Sequence, residues 1–257
     1  MSLVDGWGSY ERRLVPRIVV PFAGDITDAL TGVQPGRFVV DLAAGTGATG
    51  EAITAARRGV FTVAVDLDGD ALVAGRALDR NNGRAVRGDA QRLPVRTGTV
   101  AEVVCQNGLQ FFPDLDAVCR EVERVLQPGG RLVALTWSSL AEVSLFAALS
   151  ELADTIGVGP AFQEPCSLDS SHLADSLARA GLVVTDQRPI TRTLPMTETR
   201  AQHADLLAHW VEASPSVLVD PWREADLATR EEWVTRFGNG LARRGGRMKA
   251  VLTVAHR

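Results

Sequence analysis

Two carboxylates bracket a glycine-rich run early in the chain: Asp41, then Gly45, Gly47 and Gly50, then Asp66. The glycines satisfy G-x-G-x-x-G, a spacing that lets backbone approach a nucleotide-like ligand closely because no Cβ intervenes. Asp66 lies roughly 20 residues on, where a dinucleotide-binding unit also carries an acid. Asp41 separates the possibilities. It stands just before the glycines, where a dinucleotide would place its pyrophosphate, and two like charges repel in a partly dry cleft. The same carboxylate suits a ligand that carries cationic groups and no phosphate.

Such residues need a strand to deliver them and a helix to back them. Phe38-Val39-Val40 is apolar on both faces, as a buried parallel strand is, and residues 51–58 favour helix. S-adenosylmethionine, with its ammonium and sulfonium, fits this frame better than NAD. The run Asp41-Leu42-Ala43-Ala44-Gly45-Thr46-Gly47 resembles motif I of the class I S-adenosylmethionine-dependent methyltransferases, of the UbiE-like kind. That resemblance implies a Rossmann-like, doubly wound α/β sheet of seven strands. The sheet is expected to be mostly parallel, with an antiparallel edge strand and helical cap insertions. It implies cofactor contacts from Asp41, Ala43, Gly45, Thr46 and Gly47. Asp66 would accept from both ribose hydroxyls, one per oxygen, with Leu67 beside it. In Gly88-Asp89-Ala90, Asp89 would accept from the adenine amino group and the Ala90 backbone N–H would donate to a ring nitrogen. Gln106 and Asn107 would line the sulfonium end.

The rest of the chain alternates strand and helix, as a doubly wound sheet does. Expected strands cover 38–41, 60–65, 84–91, 100–105, 131–137, 182 onward and 249–256, the last antiparallel at the sheet edge by resemblance. Leu115, Val118, Cys119, Val122, Val125 and Leu126 recur at helical spacing, and Pro128-Gly129-Gly130 turns the chain back into the sheet. A single domain spanning 1–257 is expected. Residues 1–36 form N-terminal lid helices, interrupted near Pro16, and 138–170 and 196–247 form the cap. The stretch from Trp7 through Tyr10 to Pro16 resembles the helix that covers the cofactor in many of these enzymes. Tyr10, Gln110, Phe111, Trp137 and Phe162 are candidates for the acceptor pocket, with core packing the alternative for Phe111 and Phe112.

Composition narrows the partners. The 257 residues, 46% hydrophobic with net charge −4, give no basic surface for nucleic acid or anionic membrane. Cys105, Cys119 and Cys166 are odd in number and far apart, which points to a reducing cytoplasm and not to a disulfide framework. No apolar run approaches the roughly 20 residues of a spanning helix. No His/Cys/Asp cluster has metal-ligand spacing, so no metal is expected. The expected partner is a small-molecule methyl acceptor of moderately apolar kind, from secondary or quinone-like metabolism by analogy, for a monomer or homodimer. Methyl transfer does not force a catalytic residue, since positioning and a dry cleft supply much of the rate. Should a base be needed, His203, His209 and Tyr10 are the candidates, while His172 reads as exposed and His256 as structural. Two alternatives stand beside this reading: a member of the fold that binds S-adenosylmethionine without methylating, and an NAD-dependent oxidoreductase.

Overall fold

A computed structural model describes residues 3–80, 84–163, 168–193, 199–213 and 217–257. Cys166 and parts of the expected cap lie outside the described residues. Seven strands form one sheet: β1 (Phe38–Leu42), β2 (Phe61–Asp66), β3 (Ala85–Arg87), β4 (Val100–Gln106), β5 (Leu126–Trp137), β6 (Val183–Thr193) and β7 (Arg247–His256). Their spatial order is β3-β2-β1-β4-β5-β7-β6. The first five run parallel, and β7 is antiparallel to both β5 and β6. At that side of the sheet β7 lies one place in from the rim and β6 is outermost.

The strand order reverses between β1 and β4. At such a switch point the connections leave in opposite directions and open a crevice at the carboxyl ends of the strands. Asp41 pairs in register with Ala64 of β2 and Val104 of β4, so the ends of all three strands lie level. Alternation divides the core into two layers. Val39, Val104, Val133, Leu135 and Trp137 face one side, with Phe22 and Ile26 packed on them. Val40, Val103, Leu132 and Ala134 face the other, against Val118, Val122, Leu173 and Leu177.

The helices are α1 (Leu3–Arg13), α2 (Val20–Ala29), α3 (Ala48–Ala56), α4 (Gly69–Ala77), α5 (Leu115–Val125), α6 (Ser144–Thr155), α7 (Gly159–Gln163), α8 (Ser170–Arg179), α9 (Arg200–Ala208), α10 (Val219–Glu224) and α11 (Leu227–Arg243). Between α1 and α2 the chain stays helical through a π turn, Val15–Val19, with Pro16 in its first positions, where a missing N–H is least costly. Residues 1–36 are therefore not all lid. Phe22, Ile26 and Leu30 are fully buried on the sheet, and α1 alone lies over the glycine turn. The fifth strand also begins earlier than expected: Leu126 already pairs with Val100, and Gln127–Gly130 loop out before Arg131 resumes pairing at Glu102. Asp169 caps α8 by accepting from the Ser171 N–H.

Candidate functional site

The loop after β1 is built from backbone that few side chains tolerate. Ala43, Gly45 and Gly47 have φ of 54°, 56° and 81°, all left-handed, so the turn folds tightly enough to start α3 at Ala48. Two neighbours close onto it through glycines. A Cβ at Gly75 of α4 would lie 2.5 Å from the Thr46 carbonyl oxygen, and one at Gly108 would lie 2.6 Å from the Ala43 Cβ. Gly108 thus lets the chain leaving β4 lie against the turn that leaves β1.

Asp66 sits at the end of β2 and is held by two backbone donors: Gly45 N–H to Oδ2 at 2.7 Å and Asp68 N–H to Oδ1 at 2.9 Å. Each oxygen keeps a lone pair for a further donor. Burial raises the Asp66 carboxyl above its ordinary value, and the N–H groups of Asp68 and Gly45 pull it back. Asp41 lies deeper. It is 1% exposed and accepts from the Gly50 N–H at 3.0 Å, pinning the first turn of α3. Burial pushes its carboxyl up to about 7, with the nearby Asp66 charge adding to the rise. Asp41 therefore braces the start of α3 from beneath the turn, where the sequence had suggested a group facing the ligand. Thr46 is likewise buried and donates to Glu11.

The segment after β3 lies beside Asp66, because the Gly88 N–H donates to the Asp66 carbonyl at 2.9 Å. Asp89 is exposed and caps a short turn by accepting from the Gln91 N–H at 2.8 Å, with Ala90 buried behind it. Leu67 is 63% exposed at the rim of β2.

The end of β4 divides its residues between architecture and site. Both ends of the Gln106 amide are engaged: Oε1 accepts from the Thr49 hydroxyl and Nε2 donates to the Val19 carbonyl, each at 2.8 Å. Gln106 ties β4 to α3 and to the π turn, so its amide is not open to the sulfonium end. Asn107 is different. It takes a left-handed φ of 58°, its N–H donates to the Leu135 carbonyl at 2.7 Å, and both atoms of its buried side-chain amide lack a partner. Gln110 shares this condition. A buried polar atom without a partner costs roughly 1–3 kcal/mol, so such atoms take a partner from water or a bound ligand. Phe111, 56% exposed, lies at the rim and does not pack in the core.

The α1 helix covers the glycine turn. Trp7 lies against Gly45 and its indole N–H donates to Asp68 at 3.0 Å. Glu11 accepts from Thr46 and from Arg80, and Arg80 also donates to Glu51 at 2.8 Å. Tyr10 sits between them. Burial, then the charges of Glu11 and Asp66, push its hydroxyl above the ordinary range, so it is no base near neutral pH. From Trp7 a run of ring contacts crosses the site. Centroid distances are 5.3 Å to Tyr10, 6.1 Å on to His209, 5.4 Å to Trp210, 6.0 Å to Phe146 and 5.5 Å to Trp137. Phe162 flanks Trp210 at 6.3 Å. Trp137 and Phe162, expected from sequence in the pocket, are 2% and 6% exposed and belong to the core layer that holds Phe22 and Ile26.

His209 and Trp210 stand in a second π turn, His209–Ala213, and such turns often occur at functional sites. The Ser9 hydroxyl lies 3.2 Å from His209 Nδ1, and Arg13 donates to Ser9 at 2.6 Å. Burial, aided by Arg13, pushes the His209 ring down to about 4, so the ring is neutral near pH 7. His203 is elsewhere: a Cβ at Gly238 would lie 2.2 Å from its Nδ1, which makes it a packing residue between α9 and α11. His172 is exposed on α8 and His256 closes β7. No group of three metal-ligating side chains occurs among the described residues. Sequence reasoning missed Trp7, Glu11 and Trp210 as site residues. Trp7 and Glu11 lie in the stretch that resembles a cofactor-covering helix, but their partners, Asp68, Thr46 and Arg80, lie far along the chain.

The residues fit a sulfonium-bearing nucleoside: the Asp66 carboxylate with a lone pair free on each oxygen, a left-handed glycine turn, and unpartnered amides where β4 ends. A family model described as a methyltransferase domain matches residues 40–134. A demethylmenaquinone methyltransferase of Mycolicibacterium paratuberculosis is 33% identical over 180 residues, 64% of this chain and 76% of its own length. One from Corynebacterium kroppenstedtii is 38% identical over 106 residues, 41% of this chain and 44% of that protein. Among solved structures, a geranyl diphosphate methyltransferase in complex with S-adenosylmethionine superposes with TM-score 0.57 at 23% identity. That superposition covers 97% of this chain and 91% of the other. A Haemonchus contortus phosphoethanolamine N-methyltransferase gives TM-score 0.61 at 14% identity, covering 99% of this chain and 57% of the other. The cofactor is S-adenosylmethionine, and the NAD-dependent alternative falls. On its motif, its sheet and these relatives together, the chain belongs to the UbiE-like family of class I S-adenosylmethionine-dependent methyltransferases.

Proposed function

We propose that this methyltransferase acts on a small, moderately apolar molecule seated between the carboxyl ends of the strands and the aromatic wall of the cap. The observation that carries the reading is the run of ring contacts from Trp7 over the glycine turn to Trp137 at the end of β5. This run of rings supports an apolar acceptor close to the residues that would hold the cofactor. When bound, S-adenosylmethionine supplies a methyl group on a positively charged sulfur, which is already activated toward a nucleophile.

The chain's own residues then have positional work. Asp66 holds the ribose hydroxyls, Asp89 and the Ala90 N–H the adenine, and Asn107 the methionine end, with Gly45 and Gly47 giving the backbone clearance. Trp7 and Tyr10 on α1 keep water out. No side chain need take a proton. Burial leaves the His209 ring a weak base, at about 4, and Tyr10 keeps its own proton, so a hydroxyl or enol acceptor loses its proton to solvent. Demethylmenaquinone methyltransferases among the relatives make a quinone-like or secondary-metabolite ring the acceptor type to try first. No described helix is long and apolar enough to cross a membrane.

The test is twofold. Titration calorimetry with S-adenosylmethionine, S-adenosylhomocysteine and NAD should show binding of the first two only. Transfer of labelled methyl from S-adenosylmethionine should then be measured across phenolic, enolic, amine and quinol acceptors. Inactivity toward every class, with the cofactor bound, would count against the small-molecule reading.

A further inference from the structure

Helix α1 carries polar side chains on two opposite faces, and each face has its own partners. Successive helical residues turn by about 100°, so Trp7 and Glu11 share one face and Ser9 and Arg13 share another, roughly 200° away. The first face meets the cofactor side. Trp7 donates to Asp68 at 3.0 Å and lies against Gly45, whose own N–H fixes Asp66. Glu11 accepts from Thr46 and from Arg80. The second face meets the cap. Arg13 donates to Asp205 at 2.7 Å and to the Ser9 hydroxyl at 2.6 Å, and that hydroxyl lies 3.2 Å from His209 Nδ1. Asp205 and His209 are themselves one turn apart, on α9 and the π turn that follows it. Ser9 opposite His209 and Arg13 opposite Asp205 make the two helical segments antiparallel.

We propose that α1 is a strap that transmits cofactor occupancy to the cap, with Ser9, Arg13, Asp205 and His209 as positioning residues that hold the cofactor without touching it. This rests on the placement of S-adenosylmethionine at the glycine turn. Ser9 and His209 are 2% and 6% exposed, so their contact forms away from water and breaking it leaves buried polar atoms unpaired. Arg13 joins the two cap contacts, because separate nitrogens donate to Asp205 and to Ser9. The arm formed by α9 and the π turn is anchored in the core by Leu206, Leu207 and Val211, all buried. Helix α1 therefore cannot leave the glycine turn without breaking these bonds or pulling the arm from its packing. Such a linkage is reciprocal: whatever the cap adds to cofactor affinity, the cofactor adds to the order of the cap. The product leaves when both faces of α1 let go.

The experiment uses the full chain and S-adenosylhomocysteine. Stopped flow should show dissociation about two- to fivefold faster in Asp205→Ala, which removes one half of a partly exposed ion pair. Ser9→Ala, which removes both buried contacts, should speed it roughly tenfold. Asp205 is 51% exposed on its side chain, so its variant keeps the fold even where Ser9→Ala does not. Asp220→Ala serves as the comparison, since this exposed cap carboxylate pairs with Arg223 of its own helix, and it should dissociate at the native rate. Hydrogen exchange reads the coupling in the other direction. Saturating S-adenosylhomocysteine should slow backbone exchange along α9 and the π turn in the native chain, and should slow it less in Asp205→Ala and Ser9→Ala. A loss of helix stability alone would leave that ligand-dependent difference unmoved. Native dissociation rates in both variants, an equal acceleration in Asp220→Ala, or exchange in the arm that ignores the ligand would each overturn the strap. Failure of the native chain to bind S-adenosylhomocysteine would instead overturn the cofactor placement on which the strap rests.

Discussion

Asp66 enters the site already oriented, because Gly45 and Asp68 donate to different oxygens of one carboxylate. On the proposed ribose role, replacing it with Ala would strand two ribose hydroxyls and free the Gly45 N–H, so S-adenosylmethionine binding should weaken by roughly 1–3 kcal/mol. Asp66→Asn should do no better, since an amide presents N–H groups to at least one backbone N–H. Calorimetry on both variants checks this, and unchanged affinity would remove Asp66 from the ribose. The place of Asp66 was legible in the sequence because it is local: a strand end, a fixed distance from a glycine turn. Gln106 was not. Its position at the end of β4 suggested the cofactor, but its amide is engaged by Thr49 and Val19, 57 and 87 residues away in sequence. A long-range partner of that kind leaves no trace in spacing or composition.

At the level of elements, the parallel half of the sheet could be read from its apolar runs and glycine breaks, because each β-α unit carries its own start and stop signals. The cap could not be resolved in the same way. The pairing of β7 with β5 and with β6, and the packing of α6 against α11, join segments far apart in the chain. The N-terminal helices were half legible: α1 covers the site as expected, whereas the next helix is core because Phe22 and Ile26 outweigh its polar face. The attachment of α1 is specific. Glu11 and Arg80 are 14% and 13% exposed, so their contact is weakly screened and a half-buried charge is left when one partner goes. Glu11→Gln should loosen the docked helix by roughly 1–3 kcal/mol. The expected signs are faster S-adenosylhomocysteine dissociation in stopped flow and faster proteolysis ahead of residue 14 in the ligand-free chain. A dissociation rate equal to that of the native chain would mean that α1 does not gate the crevice.

For the whole molecule, ligand binding and protonation both report on the fold. A ligand at 100 times its Kd stabilises by about 2.7 kcal/mol, and at this size each kcal/mol moves Tm by about 2–4 °C. Saturating S-adenosylhomocysteine should therefore raise Tm by roughly 5–10 °C, and NAD at the same concentration should leave it unmoved. Protonation gives a finer test, because Asp41 and His209 are displaced in opposite directions. The Asp41 carboxyl rises from 3.8 to about 7 on folding. Across that window the native state binds more protons than the unfolded one, so this group's contribution is complete below pH 3.8 and is lost by about pH 7. His209 falls from 6.5 to about 4. There the unfolded state binds more protons, so its contribution is present above pH 6.5 and disappears as the pH drops to about 4. Asp66 and Glu102 are both raised by burial and act in the sense of Asp41. Asp41→Asn keeps an oxygen for the Gly50 N–H but removes the proton. Relative to the native chain it should therefore gain stability as the pH rises through this window. His209→Phe removes the opposite dependence and should lose stability relative to the native chain over the same interval. Urea denaturation of the three proteins at pH 5 and pH 7.5 measures both differences. Parallel pH profiles for native protein and Asp41→Asn would mean that the Asp41 carboxyl is ionised throughout, and that its field reaches the cofactor crevice at full strength at every pH.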